Sequence, residues 1–443
     1  MPSIKDTTLA DAIGNHATGL EGSARDYDAL LDLVGDARFV LLGEATHGTH
    51  EFYEERARIT QRLITEKGFH AVAVEADWPD AYRVNRYVRG ESEDRDAVQS
   101  LDGFRRFPTW MWRNTDVVNF VEWLRGHNDG VHGKVGFYGL DLYSMFTSIE
   151  EVLRYLGKVD PEAARNARER YACFDHYHAD SQRYGYAAGI GMSESCEQDV
   201  LNQLRELQQR AGDYARTAGA DEFFAAHQNA RLVHNAEEYY RTMFRGRISS
   251  WNLRDRHMAE TLEALDRHLS IQAGEPARIV VWEHNSHIGD ARATEVGRMG
   301  EWTVGQLARQ QWGKDEVVLI GFSTYHGYVT AASAWDEPPE RKRVNPGLPH
   351  SYEDVFHRAG MERFYLPLRE HNHATEALMQ ERLQRAIGVV YLPRTERQSH
   401  YFMSRLPQQF DAILHFDRTD SVTPIDRGAM AGEEPPETYP SGF

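Results

Sequence analysis

The chain has 443 residues, 41% hydrophobic and 27% charged, enough to bury a sizeable core and typical of a soluble globular protein. Its 68 acids against 50 bases leave a formal charge of −18. That balance argues against nucleic acid, whose binding depends on Lys and Arg displacing counterions. No run approaches the roughly 18 uninterrupted apolar residues of a membrane span, and the opening MPSIKDTTLADAIGNHATGL lacks the basic-then-apolar order of a signal peptide. Cys173 and Cys196 lack metal-ligand spacing. They are expected to be reduced thiols, in a cytoplasmic protein.

In chain order, the first strand-like run is 38-RFVLLG-43. The segment 51–68 follows, where Phe52, Ile59 and Leu63 share a helical face and Gly68 makes a C-cap. A second run, 70-HAVAVEA-76, precedes a helix over 114–128 that opens on an Asn or Thr cap. The third is 134-KVGFYGLD-141. From 150 to 275 no strand is expected, and 219–244 and 256–271 read as helices. In the latter Met258, Leu262, Leu265 and Leu269 form the apolar stripe. Strand patterning returns at 278-RIVVWEH-284, 316-EVVLIGF-322, 387-IGVVYLP-393 and 410-FDAILHF-416.

Most of these runs are continuous rather than alternating, which suits strands covered on both faces. The pattern predicts an α/β protein: a three-layer α/β/α sandwich with a mainly parallel sheet and a large helical insertion. Residues 1–149 form the first part of the core, 150–275 the insertion, 276–420 the second part and 421–443 a flexible tail. The Pro-rich, charged stretch 333–351 reads as a long loop, a candidate lid.

Ligands in open α/β sheets bind outside the carboxyl ends of the strands. The first strand delivers Glu44 and His47 there, the second Glu75 and Asp77, and the third Asp141. The run beginning at 278 delivers Glu283, His284 and His287. Each has a plainer explanation by itself: Glu44 as a helix cap, His47 as a turn residue, Asp141 as an Arg partner. Glu75 is harder to dismiss, because an acid inside a buried run is costly unless paired. Ionisable side chains at four strand ends make a constellation. No Gly-x-Ser-x-Gly elbow offers a nucleophile, and in 50-HEFYE-54 Glu54 stands where a zinc-protease helix needs its second His. Hydrolysis would therefore proceed by activating water, with a His base oriented by a carboxylate.

The stretch 42-LGEATHGTHEFYEERARIT-60, with 72-VAVEADWPD-80, 138-YGLDLYS-144, 251-WNLRDRHMAETL-262 and 283-EHNSHIGD-290, closely resembles the erythromycin esterase family. The resemblance implies hydrolysis of an ester or macrolactone without a covalent acyl-enzyme. It assigns the general base to His47, the active-site carboxylates to Glu44 and Glu75, and the second histidine to His284. His287, Arg56, Arg254 and Asp141 are the expected substrate-binding residues, and the partner is a small ester or lactone. No cofactor is expected. One alternative places a divalent metal on Glu44, His47, Glu75 and His284. Another is a non-catalytic core that binds a small molecule or haem. The Arg- and aromatic-rich 239-YYRTMFRGRISSWNLRDRH-257 would shape the pocket from the insertion.

Overall fold

Strand residues alternate between two hydrophobic cores, and that alternation organises the molecule. The computed structural model describes residues 4–177, 180–189, 191–192 and 194–426. Its strands are β1 Thr18–Gly19, β2 Phe39–Leu42, β3 Ala71–Asp77, β4 Gly136–Asp141, β5 Ile279–Trp282 and β6 Val317–Ala331. They continue as β7 Glu340–Val344, β8 Arg363–Pro367, β9 Arg382–Arg385, β10 Tyr401–Ser404 and β11 Ala412–Thr419. Among the described residues, nine of these make one sheet in the order β1-β8-β11-β6-β2-β5-β3-β4, with β7 paired on β6. The six strands from β11 to β4 run parallel; β1, β7 and β8 join antiparallel.

Side chains of a strand point to opposite faces in turn, so each parallel strand feeds both cores. Phe39, Leu41, Ala71, Ala73, Ile279 and Val281 face one core, which contains Met258, Leu262, Leu265 and Leu269 of the long helix Arg247–Ala273. Val40, Leu42, Val72, Val74, Val280 and Trp282 face the other. Helices His50–Lys67 and Thr115–Asp129 cover that second face through residues such as Phe52, Leu63 and Phe120. The helical insertion therefore packs on one face of the sheet, together with the helices Ile4–His16, Val304–Trp312 and Tyr352–Arg358.

Local signals behave as the chemistry requires. Gly68 caps its helix in the left-handed region at φ 67°. The Asn114 side chain accepts the Val117 amide and starts the helix from Thr115. No described strand interrupts the chain between β4 and β5, and no described helix is long and apolar enough to cross a membrane.

Four expectations need correction, and one strand went unread. The run 387–393 forms only isolated bridges, to Thr46 and Ala332. Ile387 and Tyr391 instead bury against Val329, Ala331 and Val344 in a small separate core, so the apolarity serves packing rather than pairing. The stretch 333–351 contains β7, because β6 runs on past the sheet and offers it an edge. β8, with mixed polarity and only five residues, had no strand-like signature. Cys173 and Cys196 are joined as a disulfide, their Cα atoms 6.0 Å apart. The pairing removes the free-thiol basis on which a reducing compartment was expected. Finally, residues 421–426 of the expected tail are packed. The Val422 amide bonds the Gly48 carbonyl, and the Ile425 amide bonds that of Arg113. The remainder of that tail, 427–443, lies outside the described residues.

Candidate active site

In sequence the four residue-bearing strands come as β2, β3, β4 and β5, but in space β5 lies between β2 and β3. The His284 turn is thereby set beside the His47 turn. Two glycines make this possible. A Cβ on Gly43 would sit 2.0 Å from the Asn285 side-chain oxygen, and one on Gly48 would sit 1.9 Å from the Thr330 carbonyl. Across the first contact the Asn285 amide donates to the Glu44 carbonyl at 2.8 Å. Asn285 also donates from its side chain to the Phe322 carbonyl at 2.7 Å. The two histidine-bearing turns are thus knitted backbone to backbone, and their imidazole centroids stand 4.8 Å apart.

His47 Nδ1 lies 2.9 Å from Glu44 Oε1, and Arg56 donates to the other Glu44 oxygen at 2.9 Å. Glu44 and Arg56 are each 1% exposed. The arginine packs beneath the Tyr53 and Trp282 rings, 4.4 and 5.1 Å from their centroids. A carboxylate cannot donate, so Nδ1 carries the proton and Nε2 of His47 is left as the basic nitrogen. Arg56, expected as a substrate contact, instead lies behind Glu44 and does not line the cleft.

His284 is polarised the other way. The Ser286 backbone amide donates to its Nδ1 at 3.2 Å, and the Ser286 hydroxyl lies 2.7 Å from the same nitrogen. The proton therefore belongs on Nε2, which has no hydrogen-bond partner among the described residues. Burial, reinforced by His47, holds the His284 pKa well below the ordinary imidazole value. The ring is a neutral donor.

Glu75 anchors both halves. One oxygen accepts the His284 amide at 2.8 Å, and the other accepts Arg254 at 2.7 Å and lies 3.5 Å from His287 Nε2. Burial opposes its ionisation, but positive charge on His287, on Arg254 and, once it takes a proton, on His47 holds its carboxyl well below the usual range. Arg254 also bonds Asp141 from two nitrogens, at 3.0 and 2.6 Å. His287 donates from Nδ1 to Asp255, 3.0 Å from either oxygen, and stacks on Trp251 at 4.5 Å. Arg254 Nη1 lies 3.0 Å from its Nε2.

Asp255 and Trp251 escaped the sequence reading. The signal was present: Trp251, Arg254 and Asp255 are spaced i, i+3 and i+4 on one helix, and so share a face.

Glu283 stands apart. It is 1% exposed, and neither carboxyl oxygen has a hydrogen-bond partner among the described residues. Burial, then the charges of Glu75 and Asp255, push its pKa well above the ordinary carboxylate value. In the fold it keeps a proton that the unfolded chain releases above about pH 4.3, so it subtracts stability as pH rises from there. Glu283→Gln keeps the shape without the titration. Its melting temperature should exceed that of the parent protein, by more at pH 8 than at pH 5, since each tenfold difference in proton affinity between fold and unfolded chain is worth about 1.4 kcal/mol. An equal or lower melting temperature at pH 8 would contradict the protonated state.

The cleft above these groups encloses about 870 Å³, part of it open to solvent. His47, Glu75, Asp141, Arg254, His284 and His287 line its floor, while Phe104, Phe107, Trp112, Tyr143, Trp251 and Trp335 supply apolar walls. Of the expected site residues, only Glu44 and Arg56 are absent from its lining; they stand behind His47. His50 points elsewhere, its pKa pushed up to about 9 by its hydrogen bond to Asp116.

Comparison with known proteins agrees with this architecture. The chain is similar to an erythromycin esterase type II from Escherichia coli, at 24% identity over 327 residues, 69% of this chain and 73% of that protein. A putative hydrolase of Bacillus subtilis aligns at 21% identity over 93% of this chain and 90% of its own length. Among solved structures, a Bacillus cereus protein superposes with a TM-score of 0.78 at 21% identity, covering 95% of this chain and 99% of the other. A His-to-Asn mutant of the erythromycin esterase EreC, in its open conformation, gives 0.67 at 17% identity, covering 91% and 96%. The family model described as erythromycin esterase matches residues 64–419, a span that holds Glu75, Asp141, Arg254, His284 and His287 and begins after Glu44 and His47. With four-fifths of its length under that model, the chain belongs to the erythromycin esterase family.

Proposed function

We propose that the protein hydrolyses a carboxylic ester or macrolactone by direct attack of water. The observation that carries this reading is the opposed pair of imidazoles: His47 presents a lone pair and His284 presents an N–H, with ring centroids 4.8 Å apart. His47 Nε2 takes a proton from water while the Glu44 carboxylate, fixed by Arg56, stabilises the imidazolium that forms. The water oxygen bonds to the carbonyl carbon. The His284 N–H donates to the oxyanion that develops. Collapse breaks the carbon–alkoxide bond, and the proton held by His47 passes to the departing oxygen. Acid and alcohol are the products, and no covalent enzyme intermediate forms.

Family membership supports the hydrolase class, and the erythromycin esterases it resembles make a macrolide lactone the first substrate to try. The apolar cleft walls suit a bulky substrate. The reaction as proposed needs no metal. Glu44 divides its oxygens between His47 and Arg56, and Glu75 divides its own between Arg254 and the His284 amide. Among the described residues no cluster of three His, Cys, Asp or Glu side chains suits a cation.

Incubation with a panel of macrolides and simple lactones, followed by mass spectrometry, should show gain of one water in at least one cyclic ester. No addition across the panel, from folded protein, would remove lactone hydrolysis from this proposal.

A further inference from the structure

We propose that a second cavity beside the cleft binds the alcohol half of the ester, in the form of a neutral hydroxylated ring. The proposal rests on the esterase reading and assigns a place to the part of the substrate that carries the released hydroxyl. The cavity encloses about 970 Å³, part of it open to solvent, and shares two side chains with the cleft, Trp251 and Ser286. Ser286 is the residue whose hydroxyl meets His284 Nδ1, and Trp251 is the ring stacked on His287. The side chains the two spaces share therefore touch His284 and its neighbour His287.

The lining suits a ring with an apolar face and hydroxyl edges. Val296, Met299 and Phe402 supply apolar surface, and Tyr401 adds a second aromatic. Gln409 is 1% exposed, and its side-chain carbonyl oxygen has no hydrogen-bond partner among the described residues. A buried acceptor left unmade is costly, and a ligand hydroxyl would satisfy it. Glu295 and Arg397 bring both signs of charge, which favours a neutral group over an ion.

The roof is held in place. Trp251 donates from its indole to the Trp302 carbonyl at 2.8 Å, and Asn252 exchanges hydrogen bonds with the Gly300 carbonyl and the Trp302 amide at 2.9 and 2.7 Å. Segment 299–302 is thus pinned to the helix that carries Arg254 and Asp255.

Val296→Trp is the test, because Val296 is half-buried in the second cavity and lies outside the catalytic cleft. Phenyl β-D-glucopyranoside serves as the ring probe, followed by ligand-observed NMR, and p-nitrophenyl acetate as the small ester. The parent protein and His47→Ala should both bind the glucoside, and Val296→Trp should weaken that binding at least tenfold while cleaving p-nitrophenyl acetate within twofold of the parent rate. No glucoside binding by the parent protein, or equal binding by Val296→Trp, would overturn the subsite. Failure of the parent protein to cleave p-nitrophenyl acetate, with glucoside binding intact, would count against the esterase reading and leave the cavity assignment standing.

Discussion

His47→Ala is expected to lower kcat by about two orders of magnitude or more, the usual worth of a positioned general base, with little change in melting temperature. The imidazole lies in the cleft lining at 7% exposure and makes one side-chain hydrogen bond, to Glu44. Removing it withdraws the acceptor that faces His284 but leaves the turn intact, since Gly48 and Asn285 hold the backbone from either side. Glu44 keeps Arg56 as a partner, so no buried charge is stranded. The measurement is kcat on any ester the parent protein cleaves, beside thermal unfolding of both proteins. Near-full activity in the variant would show that another group takes the proton from water.

Arg254→Ala should act chiefly on stability. The guanidinium is shared by Glu75 and Asp141, whose side chains are only 3% and 5% exposed. Truncation would leave two buried carboxylates facing one another, and breaking a buried pair from one side costs about 3–5 kcal/mol. The pH dependence has a definite sign. Paired, Glu75 has a depressed pKa and contributes stability that is lost as pH falls. That contribution is fully present above the unfolded-chain value of about 4.3 and fades below it, so the deficit shrinks toward pH 3. Urea unfolding at pH 3 and pH 8 measures it, and a loss below about 1 kcal/mol at pH 8 would mean that the ion pairs contribute little.

What was legible in the residues follows from how local each determinant is. Continuous apolar runs marked β2 to β5 because strands buried on both faces cannot alternate. Placing His47 and His284 at strand ends required only the rule that ligands sit at carboxyl edges. The insertion of β5 between β2 and β3 was not legible, since no local feature of 278–284 states its neighbours. β7 depends on the edge offered by the extended β6, and β8 on that of β11, so neither could be read from its own few residues. Arg56 illustrates the same limit. Its helical position was clear, but whether it faced substrate or the back of Glu44 depended on Trp282, more than two hundred residues away.

The contacts at Gly43 and Gly48 carry a consequence for how such an enzyme diversifies. Neighbouring segments press on the bare main chain there, so the two imidazoles form a rigid cassette that natural selection can keep or discard but hardly re-angle. Novelty in this scaffold has to arrive from the periphery, through exchange of the wall aromatics and the loops that carry them, while the paired-imidazole centre is inherited whole.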